Sequence, residues 1–172
     1  MLTLTPVEPA DIGALLALIR ELAELEKLSH EFVATEAELA DSLFGDRPGA
    51  EAMLARVDGS VAGFAVYFHN FSTFHGRRGL HLEDLYVRSD FRGQGVGTAL
   101  LAYVARLAVE RGCGRLEWSV LDWNRRAIDF YTGMGARPVA GWSEYRLEGE
   151  ALRGLAAPPA TPSPAVRAEH GR

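Results

Sequence analysis

The order of apolar and polar positions divides this chain into alternating and helical stretches. Leu2 to Thr5 alternates and reads as an edge strand. Pro9-Ala10-Asp11 then opens a helix whose apolar face is Ile12, Leu15, Leu16, Leu18, Ile19, Leu22 and Leu25. Thr35 and Glu38 have the spacing of a capping box, which predicts a short helix over 36–44. After a turn at Gly45–Gly49, apolar runs over 52–57 and 61–69 flank Asp58-Gly59, a pair that favours a type I′ hairpin turn. Residues 71–79 read as a polar loop. A strand over 80–88 leads into Arg92-Gly93-Gln94-Gly95-Val96-Gly97, and a strongly amphipathic helix pattern runs from Thr98 to Arg111. A strand over 116–121, a helix over 125–133 and part of a last strand at Tyr145-Arg146-Leu147 complete the pattern. From Ala156 on, Pro, Ala and Thr dominate, which predicts one domain over 1–155 and a disordered tail over 156–172.

The resulting order, β-α-α-β-β-β-α-β-α-β, predicts an α/β (α+β) fold. Its sheet is mixed and mostly antiparallel, with helices on both faces and one parallel crossover around the long helix.

Composition narrows the function classes. At 172 residues, 48% hydrophobic and 24% charged, the chain suits a single soluble domain with a proper core. A net charge of −5 argues against nucleic acid or an anionic membrane as partner and suits a cationic substrate. No apolar run is long enough to span a bilayer, and the N-terminus lacks the pattern of a signal peptide. The one cysteine, Cys113, allows no internal disulfide and points to a reducing cytoplasm. As a nucleophile it needs a base and a third group, and nothing local in sequence supplies them, so it reads as structural. The five histidines show no metal spacing, and no metal is expected.

The chemistry concentrates at residues 83–98, EDLYVRSDFRGQGVGT. A strand, a glycine-rich turn and a helix start together aim free backbone N–H groups at one point. The helix dipole makes that point suit a phosphate. Arg92 adds a charge-assisted contact. The dinucleotide fingerprint fits poorly, because the spacing here is G-x-G-x-G and the turn lies past the middle of the chain. An ATPase-type loop is missing its lysine before Thr98. A tight left-handed turn with no ligand stays open on these residues alone.

Two segments together resemble the GNAT N-acetyltransferases. Arg92, Gly95 and Gly97 fill the fixed positions of that superfamily's acyl-CoA loop. Val120 to Asn124, Ala127 to Tyr131 and Met134-Gly135-Ala136 resemble its second motif. Leu82 to Val87, Asp122-Trp123-Asn124 and Ile19 to Glu26 are closest to the diamine branch, the spermidine/spermine and thialysine acetyltransferases. The resemblance implies a GNAT fold with a splayed strand pair, acetyl-CoA as co-substrate, a small amine as acceptor and a homodimer. It implies that Leu85, Tyr86 and Val87 lie along the pantetheine arm, and that Arg92, Gly93, Gln94, Gly95, Val96, Gly97 and Thr98 hold the diphosphate. Asn124 and Ala127 belong to the cofactor set as well.

Acetyl transfer from a thioester to an amine needs a neutral nitrogen, a donor for the carbonyl oxygen and a proton for the leaving thiolate. An alkylamine near lysine's pKa arrives protonated, so a base is required. Glu83, two residues before Leu85, is the candidate base, and Asp84 points to the other face if the strand is regular. Tyr131 is the candidate acid, and a backbone N–H near Leu85 or Tyr86 the oxyanion donor. Glu26, with Glu83 and Asp84, matches positions that hold the amine in the diamine branch. A later acidic position has no clean match, with Ser143 or Glu144 nearest. His81 reads as lining. The rival functions are acetylation of another amine (a protein N-terminus, a lysine or an aminoglycoside) and a non-catalytic acyl-CoA-binding module.

Overall fold

The computed structural model describes residues 1–157, so most of the tail expected over 156–172 lies outside the described residues. The chain divides into two units, Met1–Trp123 and the residues from Asn124 on.

The first unit holds five strands in sequence order, β1 (Leu2–Pro6), β2 (Glu51–Val57), β3 (Ser60–Ser72), β4 (Arg77–Val87) and β5 (Leu116–Glu117). Neighbours are antiparallel except β4 and β5, which are parallel. Between β1 and β2 lie α1 (Ile12–Leu25) and α2 (Glu36–Phe44), and α3 (Val96–Glu110) makes the crossover from β4 to β5. The expected capping box forms, with Glu38 N–H donating to Thr35 Oγ1 and Thr35 N–H to Glu38 Oε2. Asp58 and Gly59 both take left-handed backbone angles, φ 49° and 82°, as the type I′ turn requires.

Each face of the sheet is covered. Leu15, Leu18 and Leu22 of α1 join Leu54, Phe64, Val66 and Tyr86 in one buried cluster. Leu100, Val104 and Ala108 of α3 are buried, and α3 packs on β3 and β4. Fully buried side chains of this size each contribute about 1.5–3 kcal/mol.

Three expectations need correction. Residues 71–79 are not a loop, because β3 and β4 pair out to Ser72 and Arg77. Polar side chains on an exposed ribbon hid the strand, since period-two patterning needs one buried face. The strand expected over 116–121 pairs only at Leu116 and Glu117. No strand forms at 145–147: Tyr145 is 93% exposed there, and a strand persists only with a ladder partner.

The second unit contains α4 (Arg125–Gly133) and α5 (Gly149–Ala156), a helix absent from the sequence reading. Asn124 caps α4, its Oδ1 accepting from Ala127 N–H at 3.2 Å.

Candidate active site

The site is organised by an irregularity in β4. Val66 pairs with Asp84 but the next β3 residue, Tyr67, pairs with Leu82, so Glu83 is one extra residue bulged out of the ladder. The bulge reverses the side-chain alternation. Before it, Leu82 lies opposite Tyr67, which hydrogen-bonds Tyr103 of α3, so Leu82 faces α3. After it, Asp84 and Tyr86 lie opposite Val66 and Phe64 on the face covered by α1. The expectation that Glu83 and Asp84 point to opposite faces rested on a regular strand, and the strand here is not regular.

The bulge also reverses the backbone. Before it, Leu80 N–H donates to Arg115 O and Arg78 O accepts from Gly114, both on the β5 side. After it, Arg88 N–H donates to Ala62 O on the β3 side. By alternation Tyr86 then bonds within the β3 ladder, and Leu85 and Val87 turn their polar groups to the other edge. There β5 pairs only with Leu80 and His81. The parallel ladder thus stops where the bulge switches which residues present hydrogen-bonding groups to it, and the two strands part.

Three carboxylates converge where the bulge meets the end of α1. Asp84 is pushed up to about 7, first by burial, then by the neighbouring charges of Glu83 and Glu26. Burial also raises Glu26, the residue that closes α1. Glu83 is more exposed, and its Oε2 lies 3.7 Å from His81 Nε2. The His81 ring packs on Phe68, with 4.9 Å between ring centres. This gathering of like charge with partial burial suits a cation.

The far end of β4 is clamped. Arg88 donates from Nε and Nη2 to Glu21, at 2.9 and 2.6 Å, and Tyr86 Oη donates to the same carboxylate at 3.3 Å. The Arg88 guanidinium holds the Glu21 carboxyl below its ordinary range. Beyond the clamp, a short 3-10 turn (Ser89–Phe91) leads to Arg92, whose Nε donates to Val87 O at 2.7 Å and whose guanidinium lies 5.8 Å from the Tyr86 ring centre. Gly93 and Gly95 have φ of 74° and 81°, which other residues adopt only with strain, and the space where a Cβ would stand is open at both. Gly95 caps the start of α3, so the amides of Val96, Gly97 and Thr98 have no acceptor within the helix. Gln94 folds back, its Nε2 donating to Asp90 O. An open cradle of amides at a helix start therefore follows directly on an open strand edge.

The first unit thus brings together Glu26, Glu83, Asp84, Leu85, Val87 and the Arg92–Thr98 turn. Asn124, Ala127 and Tyr131 lie in the second unit: Tyr131 is in α4, its ring centre 5.3 Å from that of Phe130. Cys113 does have an imidazole beside it, with Sγ 3.7 Å from His69 Nδ1. That ring is committed elsewhere, its Nδ1 lying 3.2 Å from Gly79 O and its Nε2 3.1 Å from Arg111. Among the described residues no group of three or more His, Cys, Asp or Glu could hold a metal, and no helix is long and apolar enough to cross a membrane.

Sequence reasoning missed the Arg88–Glu21 clamp and Lys27. Lys27, one residue past the Glu26 cap of α1, has φ 62°, and its Nζ lies 5.7 Å from the Trp123 ring centre. Its own N–H bonds Glu24 O and that of Leu28 bonds Ala23 O, the paired bonds of a helix stop usually built on glycine. A side chain there costs about 1–2 kcal/mol. The signal in sequence was a lysine at the end of an apolar helix pattern with no glycine to stop it.

The chain resembles known proteins along most of its length. Residues 17–136 match the model of the acetyltransferase (GNAT) family. The chain is 41% identical over 157 residues to thialysine N-epsilon-acetyltransferase of Bos taurus, covering 85% of this chain and 92% of that one. It is 33% identical over 192 residues to an L-ornithine N5-acetyltransferase of Arabidopsis thaliana, covering 86% and 84%. Among solved structures, an integron cassette protein from the mobile metagenome of V. cholerae superposes with a TM-score of 0.75 at 28% identity, covering 90% of this chain and 97% of that one.

Proposed function

The chain belongs to the GNAT family of acetyltransferases, and from that premise we propose that it moves the acetyl group of acetyl-CoA directly to a primary amine of a small diamine, polyamine or lysine analogue. The observation that carries this reading is the meeting of Glu26, Glu83 and Asp84 beside the open edge of β4.

The residues present suit the co-substrate. Amides from Gly93 to Thr98 hold the diphosphate with Arg92, and Leu85 and the N–H of Val87 face the pantetheine amides, the Val87 carbonyl being held by Arg92 Nε. When bound, acetyl-CoA supplies the thioester carbonyl that the amine attacks. The carboxylates draw in the acceptor's ammonium. Its proton passes to the Glu83–Asp84 pair, in which Asp84, raised to about 7, has the basicity suited to neutral pH and Glu83 opens to solvent. Leu85 N–H faces the edge where the oxyanion develops, whereas that of Tyr86 is spent in the ladder. Tyr131 gives its proton to the departing thiolate, and Asn124 and Ala127 complete the cofactor set. We place the enzyme in the cytoplasm as a homodimer, and the domain boundary near 155.

The test is free-thiol release from acetyl-CoA with a panel of amines. Thialysine, ornithine and putrescine are expected to give turnover, and a peptide N-terminus and an aminoglycoside none. Tight coenzyme A binding without thiol release from any amine leaves only the non-catalytic reading.

A further inference from the structure

One positive group stands one residue beyond Glu26 in the chain, and the proposed chemistry leaves it without a role. Lys27 follows Glu26, whose charge acts on Asp84. The lysine sits at a left-handed position where glycine is unstrained, so its side chain, not its backbone, is what the position holds. Among the described residues its ammonium makes no ion pair with any carboxylate, and its charge is not among those that act on Asp84 or Glu26. It lies instead over the indole of Trp123, which is 52% exposed. An aromatic face steers an ammonium but carries no net charge, so Lys27 is positioned and still un-neutralised. A group held in that way, with solvent on one side, is prepared to meet an anion.

A site made only of carboxylates accepts a diamine at both ends and repels an acceptor that carries a carboxylate of its own. Resting on the proposed amine acetylation, we propose that Lys27, steered by Trp123, reads the α-carboxylate of an amino-acid acceptor whose terminal amine goes to Glu83 and Asp84. Lys27 is then a specificity residue, and the enzyme prefers an amino acid to the diamine that lacks only its carboxylate.

Matched pairs test this: L-ornithine against putrescine, and L-lysine against cadaverine. Wild type is expected to have the higher kcat/KM for the amino acid of each pair. Lys27→Gly, which relieves the left-handed strain and is expected to melt no lower than wild type, should raise KM for the amino acids by roughly tenfold with kcat nearly unchanged. KM for the diamines should stay or fall, and Lys27→Arg should restore amino-acid use. Equal changes within each pair, or none, overturn the proposal while leaving amine acetylation standing. A fall in diamine KM with amino acids untouched also overturns it, and shows that Lys27 only competes with cationic acceptors for Trp123. No thiol release from wild type with any amine overturns the functional reading first and this one with it.

Discussion

The two ends of the site meet charge by opposite means. At the start of α3 the turn from Gly93 to Thr98 presents backbone amides, with no side chain in the way and the positive end of the helix behind them. At the end of α1 the work falls to side chains: Glu26 from the helix, Glu83 and Asp84 from a bulge in β4, and Lys27 from the turn that follows. Both ends use left-handed backbone. The first fills it with glycine, as local rules require, and the second fills one such place with lysine against them. An amide cradle is insensitive to which side chains flank it and, on the proposed function, binds a fixed group shared by every turnover. A carboxylate cluster depends on every member's charge and burial, so on the same proposal it is where acceptor and pH dependence are set.

The sharpest way to break that division is Asp84→Asn. It removes the carboxyl matched to neutral pH and leaves the amide turn intact. We expect kcat/KM for the amine to fall about 100-fold or more, with the dissociation constant of coenzyme A unchanged. Isothermal titration beside steady-state kinetics reads both, and a parallel loss of coenzyme A binding would show that the ends are not separate.

The same substitution should stabilise the fold, with a sign set by the titration. Asp84 titrates near 7 in the folded chain and near 4 when unfolded, so between those values the native state holds a proton that the unfolded chain has released. Wild-type stability therefore falls as pH rises from about 4 to about 7 and levels off above. Asp84→Asn lacks this slope. At pH 8 it is expected to be more stable by on the order of 2–4 kcal/mol, and at pH 4 the two should converge. Thermal melts at the two pH values check it, and an advantage that persists at pH 4 would mean that repacking, not ionisation, is responsible.

Legibility in the sequence follows the same division. Gly93, Gly95 and the amphipathic run after them are contiguous, so the order strand, turn, helix could be read directly, and α3 begins at Val96, two residues before its expected start. The acid site was legible only as separate residues. Leu80, Leu82, Asp84 and Tyr86 alternate as if on one face, and no local signal announces the bulge that sends the first two to α3 and the last two to α1. The short pairing of β5 follows from that bulge and was hidden with it. Tyr145 and Leu147 show the converse case, a strand pattern that forms no ladder among the described residues. Pairing is a tertiary property, and apolar alternation signals it only where a partner edge is at hand.

The smallest expected effect falls on the amide turn. Gly95→Ala adds one methyl group at φ 81°, where no neighbouring atom obstructs it. The cost is therefore backbone strain alone, about 1–2 kcal/mol. That strain can be relieved by rotating the first turn of α3, which swings the amides of Val96, Gly97 and Thr98 off a common point. The variant should raise the KM for acetyl-CoA by about tenfold while kcat at saturation and the KM for the amine hold. If the amine KM moves instead, the turn is coupled to the carboxylates through β4 and the Arg92–Val87 bond, and backbone and side-chain ends form one unit.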